Sequence, residues 1–169
     1  WERYTFTQDK EFLQQNYPVL KGAAEFCLNW LIEKDSKLIT SPGTSPENKF
    51  LTPDGYAGAT SYGCTSDLAM TRECLIDAAK AAEALGTDKD FRKQIERTLP
   101  RLLPYQVGKK GNLQEWFHDW EDQEPQHRHQ SHLFGLYPGH HLSVKETPEL
   151  AKACARTLEI KGDNTTGWS

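Results

Sequence analysis

Apolar residues recur every three and four positions along four stretches of the chain, the spacing that places side chains on one face of an α-helix. The pattern predicts helices over Phe12–Ile32, Ser66–Leu85, Lys89–Leu103 and Pro148–Ile160. Pro18 removes a backbone donor inside the first stretch, so we expect a break near Tyr17 and a main helix beginning at about Pro18. Gly86 and Gly162 follow the second and fourth stretches and are typical helix-ending residues.

Long polar segments separate the predicted helices, and we expect Lys37–Thr40 to add a short strand at most. The segment Gln8–Phe12 opens the first helix and is similar to Thr87–Phe91, which opens the third, so an internal repeat is indicated. Helical hairpins that recur in this way bury one face and must stack on neighbours. We therefore predict an all-α fold, with residues 1–169 as one partial domain whose long functional loops lie at one end.

The 169 residues carry a formal net charge of −4 and no cluster of Lys and Arg. This argues against binding to nucleic acid or to an anionic membrane surface, both of which need basic patches. No apolar run approaches the ~20 residues of a membrane span. The four cysteines form no paired motif of a zinc or redox site. The expected partner is a small ligand without strong charge.

A loop rich in proline and glycine, residues 38–50, contains two Ser-Pro pairs that keep its backbone out of a helix. Glu47 and Asn48 therefore project from a stiff loop, and a carboxylic acid held in this way suits general acid catalysis. The alternative is that Glu47 caps a helix that begins after Pro46, where a negative charge is favourable. The spacing alone leaves both interpretations open.

All six histidines lie between positions 118 and 141, in a stretch that also concentrates acids and aromatic residues. If this stretch is helical, Trp116 and Trp120 lie one turn apart, and so do Glu115 and Asp119. An aromatic plane beside carboxylates matches the apolar face and the hydroxyl rim of a sugar ring. The alternative is a solvated helix with two tryptophans in the core.

Three of the histidines, His127, His129 and His132, are close enough in sequence to suggest a site for Zn²⁺ or another divalent ion. Against this, Arg128 would place a fixed positive charge beside the cation, and no HExxH arrangement is present. Arginine and histidine also donate hydrogen bonds to hydroxyl groups without a metal. A polar-ligand site, a metal site and a structural role therefore all remain open.

Four motifs occur in a fixed order: Thr44-Ser-Pro-Glu-Asn48, then Gln114-Glu-Trp116 with Asp119, then His127-Arg-His-Gln-Ser-His-Leu-Phe-Gly-Leu-Tyr-Pro-Gly139, and finally Gly167-Trp168-Ser169. As a set they resemble the catalytic domain of glycoside hydrolase family 95. The third motif is long and specific, and the order and spacing match over nearly the whole chain.

The resemblance implies an (α/α)6 toroid, with residues 1–169 as its central portion, and the inverting hydrolysis of terminal α-L-fucose, typically α-1,2-linked, from glycans. Glu47 matches the general acid, and Arg128 and His129 match residues that contact the fucose. The surrounding motifs supply four further candidate substrate-binding residues: Asn48, Trp116, Asp119 and His132. No cofactor and no metal are implied. The implied partners are a fucosylated oligosaccharide or glycan and the remainder of the parent catalytic domain.

An inverting reaction needs an acid and a base about 6.5–9.5 Å apart, with the attacking water between them. In the family that water is activated by asparagines and an aspartate, which by the resemblance would precede Trp1 and follow Ser169. We therefore expect a fragment that does not hydrolyse fucosides by itself. The chain also departs from many relatives at Ser41-Pro-Gly43, where they have Asn-Pro-Ser, which changes the neighbours of the acid.

Three other functions stay open at this point. One is an α-L-galactosidase of the same family, and another is a metal-dependent hydrolase that uses His127, His129 and His132. The third is a non-catalytic carbohydrate-binding helical module in which Glu47 is an ordinary cap. A secreted or periplasmic location is suggested by the family resemblance alone.

Overall fold

A computed structural model describes residues 1–163, and the Gly167-Trp168-Ser169 motif lies outside the described residues. Its α-helices are α1 (Glu2–Thr7), α2 (Lys10–Trp30), α3 (Thr65–Leu85), α4 (Lys89–Thr98) and α5 (Pro148–Lys161). Two 3-10 helices span Leu99–Arg101 and Ser131–Gly135. The strands are β1 (Leu31–Lys34), β2 (Lys37–Thr40), β3 (Gly43–Thr44), β4 (Phe50–Leu51), β5 (Ala57–Gly58), β6 (Thr60–Ser61) and β7 (Glu121–Asp122).

About half of the described residues are helical, and the remainder includes several small sheets. The all-α prediction is therefore confirmed for the helices and wrong in leaving out the sheets. None of the helices within residues 1–163 combines the length and the apolar character that a bilayer crossing demands.

The first of two compact units comprises Trp1–Leu38 and Thr71–Leu102. Its helices bury two apolar clusters. The first consists of Tyr4, Leu13, Tyr17, Ala81 and Ala82, and the second of Ala24, Leu75, Ala78 and Ile95. The alanines on one face of α3 thus pack against the larger apolar side chains of these clusters, as the predicted apolar spacing requires.

Helix α2 differs from its prediction at Pro18, where it continues without a break from Lys10 to Trp30. Pro18 and Gln14 are both exposed. Proline has no N–H group to donate to the carbonyl of Gln14, four residues earlier. That carbonyl lies where water can bind it instead. The N-terminus is fixed by Asp9, whose side chain accepts a hydrogen bond of 2.9 Å from the Phe12 N–H.

Two other helix ends fall earlier than the apolar pattern indicates. Helix α2 stops at Trp30 because the chain turns into the β1–β2 hairpin, whose connecting Asp35 and Ser36 have positive φ angles of 50° and 63°. Helix α4 stops at Thr98 instead of reaching Leu103, two residues before a proline. The predictions for α3 and α5 are confirmed to within one residue at each end.

The second unit comprises Ile39–Met70 and Leu103–Ser169. Strand β3 pairs with β6, and β4 lies between β5 and β7 in an antiparallel sheet. One apolar cluster joins α5 to the loops through Leu113, Leu133, Leu142, Ala153 and Cys154. Another joins Phe50, Cys64 and Trp116, with Trp120 against it. The long loops of this unit are therefore packed rather than free.

Replacement of Pro18 by Ala is expected to stabilise α2. Alanine restores the donor to the Gln14 carbonyl but removes the restraint that proline places on the unfolded chain. The net increase in the free energy of unfolding should be about 1–2 kcal/mol. In the full-length protein, hydrogen exchange of the amides around Gln14 should slow by about 5- to 30-fold. Gln15→Ala, an exposed change on the same turn, is the control. Unchanged or faster exchange in Pro18→Ala would contradict the explanation.

Candidate active site

Glu47 lies in the five-residue connection between β3 and β4, which we call the acid loop (residues 45–49). The loop is held at both ends, because β3 pairs with β6 and β4 pairs with β5 and β7. No helix begins after Pro46, so the interpretation of Glu47 as a helix cap is wrong. Its side chain is 60% exposed and therefore open to ligand and solvent.

Residues 123–131, which we call the histidine loop, run beside the acid loop and are bonded to it along their length. The Gln123 N–H donates to the Lys49 carbonyl at 2.7 Å, and the Ser131 hydroxyl donates to the Pro46 carbonyl at 2.9 Å. Between these two bonds, the Arg128 guanidinium donates to Glu47 Oε2. Glu47, Arg128 and His129 thus line one cavity.

The two loops border an open cavity of about 720 Å³. It is lined by Glu47, Arg128, His129, Gln130, Ser131, Phe134, Tyr137 and Pro138. One carboxylate, one guanidinium and one imidazole thus face a wall that carries two aromatic rings. Polar donors beside aromatic surface suit a ligand with both hydroxyl groups and apolar faces, such as a sugar.

The other four candidate residues do not line this cavity. Asn48, Trp116 and His132 are 3%, 1% and 1% exposed, respectively. Asn48 Nδ2 donates to the Glu124 carbonyl at 3.4 Å, which joins the two loops from beneath. Asp119 is exposed, but its Oδ2 accepts the Lys109 N–H at 2.7 Å on a turn outside the cavity.

The stretch around Trp116 is not helical, so its acids and aromatics do not form the expected stripes. Its backbone bonds to other elements instead. The Leu113 N–H donates to the Ala153 carbonyl at 3.1 Å, and the Glu115 carbonyl accepts the Thr65 N–H at 3.0 Å. The Trp116 ring packs against Phe50 at a centroid distance of 5.3 Å and donates to Asp122. Tertiary hydrogen bonds therefore override the local helical spacing.

The three neighbouring histidines occupy different environments. His127 is buried, and its Nδ1 accepts the His129 N–H at 3.1 Å, while the His129 ring lies at the open cavity. His132 is buried on the other side of the loop, with Nδ1 3.5 Å from Glu115 Oε2. Within residues 1–163, no three His, Cys, Asp or Glu side chains are arranged to hold a metal ion.

A buried charged cluster lies under the two loops. Lys161 is 2% exposed, and its Nζ lies 3.6 Å from Glu115 Oε2 and 3.5 Å from Asp122 Oδ2. Burial raises the pKa of the Glu115 carboxyl against the opposing effects of Lys161 and the Ser45 hydroxyl. Burial also raises the pKa of Asp122, with the Glu115 charge acting in the same direction.

Lys161 and Asp122 are not among the candidate residues named from the sequence, and Glu115 was named there only as part of an expected helical stripe. Lys161 could have been recognised as buried from its spacing. It follows Ala153 and Thr157 at intervals of four, so it belongs to the buried face of α5. A lysine on an apolar face requires a buried partner. The sequence did not indicate that Glu115 is buried in an ion pair, because its surroundings are set by residues distant in the chain.

The departure at Gly43 also has a structural counterpart. A Cβ atom added to Gly43 would lie 2.5 Å from Asp67 Oδ2, so the glycine leaves room for this carboxyl beside β3, directly before the acid loop. Asp67 accepts the Thr44 N–H at 3.0 Å. Burial raises the pKa of Asp67 to about 6, against the effect of that hydrogen bond. Asp67 is a second buried acid that the sequence did not single out.

Comparison with known proteins adds an independent observation. A family model described as "Glycosyl hydrolase family 95 catalytic domain" matches residues 1–169. The chain is 45% identical over its whole length to a protein of Arabidopsis thaliana named "Alpha-L-fucosidase 2" and covers 20% of it. It is 32% identical over its whole length to "Probable alpha-fucosidase A" of Aspergillus niger and covers 22% of it. The chain thus spans about a fifth of the length of these curated relatives.

The stability of the protein should depend on pH through His132. Burial lowers the pKa of this imidazole to about 3, and the Lys161 ammonium acts in the same direction. An unfolded histidine binds its proton near pH 6.5. Between these two values the unfolded chain holds a proton that the folded chain does not, so His132 favours folding above pH 6.5 and loses this contribution as the pH falls.

The raised pKa values of Glu115 and Asp122 act in the opposite direction, so the effect must be measured as a difference from a variant. We expect the melting temperature of the full-length wild type, relative to that of His132→Gln, to fall as the pH is lowered from 7.5 to 4.5. A difference that stays constant over this range would contradict the assignment.

Proposed function

This chain belongs to the glycosyl hydrolase family 95 catalytic domain, and on that basis we propose that it carries the acid half of an active site that removes terminal α-L-fucose from glycans. The observation that carries the proposal is the position of Glu47. Its exposed carboxyl faces the open cavity beside Arg128 and His129, on a loop anchored by strands at both ends. A general acid needs this combination of fixed position and access to a proton.

Within the proposed reaction, Glu47 donates its proton to the glycosidic oxygen as the bond to the anomeric carbon breaks. Arg128 has five N–H donors, so it can hold the Glu47 carboxyl and a sugar hydroxyl at the same time. The His129 imidazole supplies a further polar contact at the cavity surface. The aromatic wall of Phe134 and Tyr137 offers an apolar face to the glycan.

The finer assignments follow from family membership. We propose an inverting mechanism on α-1,2-linked fucose, in which a base and its water lie on the opposite face of the sugar, about 6.5–9.5 Å from the acid. The described helices, two of them 21 residues long, are consistent with the central portion of an (α/α)6 toroid. Because the chain spans about a fifth of its curated relatives, activity is to be tested in the full-length protein.

The proposed function is tested with Glu47→Gln in the full-length protein. A positioned general acid contributes about 10²- to 10⁴-fold to a rate, so kcat on 2'-fucosyllactose should fall by that factor while KM changes little. α-L-Fucosyl fluoride has a leaving group that needs no protonation, so its hydrolysis should be largely retained. Initial release of β-L-fucose, followed by NMR, would establish inversion.

Glu149→Gln is the matched control, because Glu149 is an exposed glutamate paired with Lys152 on α5, and it should leave kcat unchanged. Normal turnover of 2'-fucosyllactose by Glu47→Gln would remove Glu47 from the role of acid. An α-L-galactoside assayed in parallel decides between the two sugars. Wild-type binding of fucose without turnover would favour a carbohydrate-binding module instead.

A further inference from the structure

Glu115 lies beneath the candidate site, near the start of the acid loop and the residue that follows the histidine loop. Burial raises the pKa of its carboxylate, and the Ser45 hydroxyl, at the start of the acid loop, lies close enough to lower that pKa, although the two groups do not form a hydrogen bond of ordinary geometry. On the other side, Glu115 Oε2 lies 3.5 Å from Nδ1 of His132, which directly follows the histidine loop. Lys161 Nζ approaches the same oxygen at 3.6 Å from the last turn of α5. One buried carboxylate therefore connects three separate segments of the second unit.

These contacts border a small cavity of about 30 Å³, whose lining also includes the exposed residues Lys109, Lys110 and Asp119. Glu115, Asp122, His132 and Lys161 are among the residues that line it. A polar cavity needs only about 10–15 Å³ to accommodate one water molecule, provided that two to four polar groups bind it. Its size and its lining therefore fit a single ordered water.

Four atoms of this lining have no hydrogen-bond partner among the residues that the structure describes: Asn112 Oδ1, Glu115 Oε2, His132 Nδ1 and Lys161 Nζ. The last three belong to side chains that are at least nine-tenths buried. Glu115 Oε2 lies 3.5 Å from His132 Nδ1 and 3.6 Å from Lys161 Nζ, beyond the about 2.7–3.2 Å of an ordinary N–H···O bond, so each of these atoms can accept or donate a further bond to water. Leaving buried polar atoms unbonded would cost about 1–3 kcal/mol each, and more for the charged groups.

We propose that Glu115 and Lys161, joined by an ordered water in this cavity, position the acid loop against the histidine loop. Glu115 and Lys161 are positioning residues, since neither reaches the open cavity where the sugar binds. This inference rests on the proposed function, because its consequence is the placement of Glu47 at the glycosidic oxygen. A displacement of about 1 Å at such a site lowers the rate by about 100-fold.

The test uses Glu115→Gln in the full-length enzyme, with 2'-fucosyllactose and α-L-fucosyl fluoride as substrates. Displacement of Glu47 harms only the step that needs its proton. We therefore expect kcat to fall by about 10- to 100-fold on 2'-fucosyllactose and by less than about 3-fold on the fluoride. A purely structural role would lower both rates by the same factor, and that outcome would overturn the proposal.

A single change at a buried ion pair leaves one charge without its partner and is expected to destabilise the fold. The double variant Glu115→Gln/Lys161→Met removes both charges and leaves Asp122, which is partly exposed, as the remaining acid. It should regain thermal stability and keep the selective loss on 2'-fucosyllactose. Wild-type turnover by the folded double variant would overturn the proposal.

Lys152→Met and Glu149→Gln are the matched controls, because both residues lie on α5, are 74% and 79% exposed, and pair only with one another among the described ion pairs. Both should behave as wild type on the two substrates.

Crystal structures separate failure of this inference from failure of the proposed function. If the wild type hydrolyses neither substrate, the proposed function fails, but the positioning of the loops is still measurable. We expect one water bonded to Glu115 Oε2 and Lys161 Nζ in the wild type, and a shift of the Glu47 backbone in Glu115→Gln. Unchanged loops, or a dry cavity in the wild type, would overturn the positioning inference alone.

Discussion

The burial of Lys161 is the constraint on which the second unit depends. Its ammonium group is 2% exposed and must therefore lie beside opposite charge, which Asp122 and Glu115 supply at 3.5 and 3.6 Å. The three residues come from the last turn of α5, from β7 and from an irregular segment. Because removal of one partner from a buried pair typically costs about 3–5 kcal/mol, these three segments cannot move independently.

The same constraint explains how loops without a helix present a defined cavity. The acid loop and the histidine loop have little regular structure, yet each is bonded to the other by backbone and side-chain contacts and rests on buried polar groups. Strands of two residues fix the ends of the acid loop, and its buried Asn48 side chain donates a hydrogen bond to the Glu124 carbonyl. Rigid supports of this kind allow functional residues to lie on loops that are less mobile than loops usually are.

The sequence predicted those elements that are determined by interactions between residues close together in the chain. The bounds of α3 and α5 follow from apolar spacing and from Gly86 and Gly162, and they are correct to within one residue. The continuation of α2 through Pro18 could not be predicted, because it depends on Gln14 being exposed. Strands of two residues are too short for any alternation of apolar and polar positions to identify them.

The candidate site divides in the same way. Glu47, Arg128 and His129, for which the motif resemblance predicts the acid and sugar-contacting roles, all lie at the open cavity. Lys161 was missed, and Glu115 was expected in a helical stripe rather than in a buried ion pair, because their contact joins segments that are more than 40 residues apart in the chain. Lys161 was nevertheless recognisable as a charged residue on the apolar face of a helix.

The histidines show why residue type and proximity in sequence are weak guides in a segment that is not helical. His127, His129 and His132 fall within six positions, yet one side chain bonds its own loop, one faces the open cavity and one is buried against a carboxylate. In a helix, a spacing of three or four residues would have aimed two of them in one direction. Here the backbone is held by hydrogen bonds to distant elements, and those bonds determine the direction of each side chain. The packing beneath such a loop therefore determines which side chains reach the ligand. The residues that set this packing, including Glu115, are as much a part of the functional site as the residues that contact the ligand.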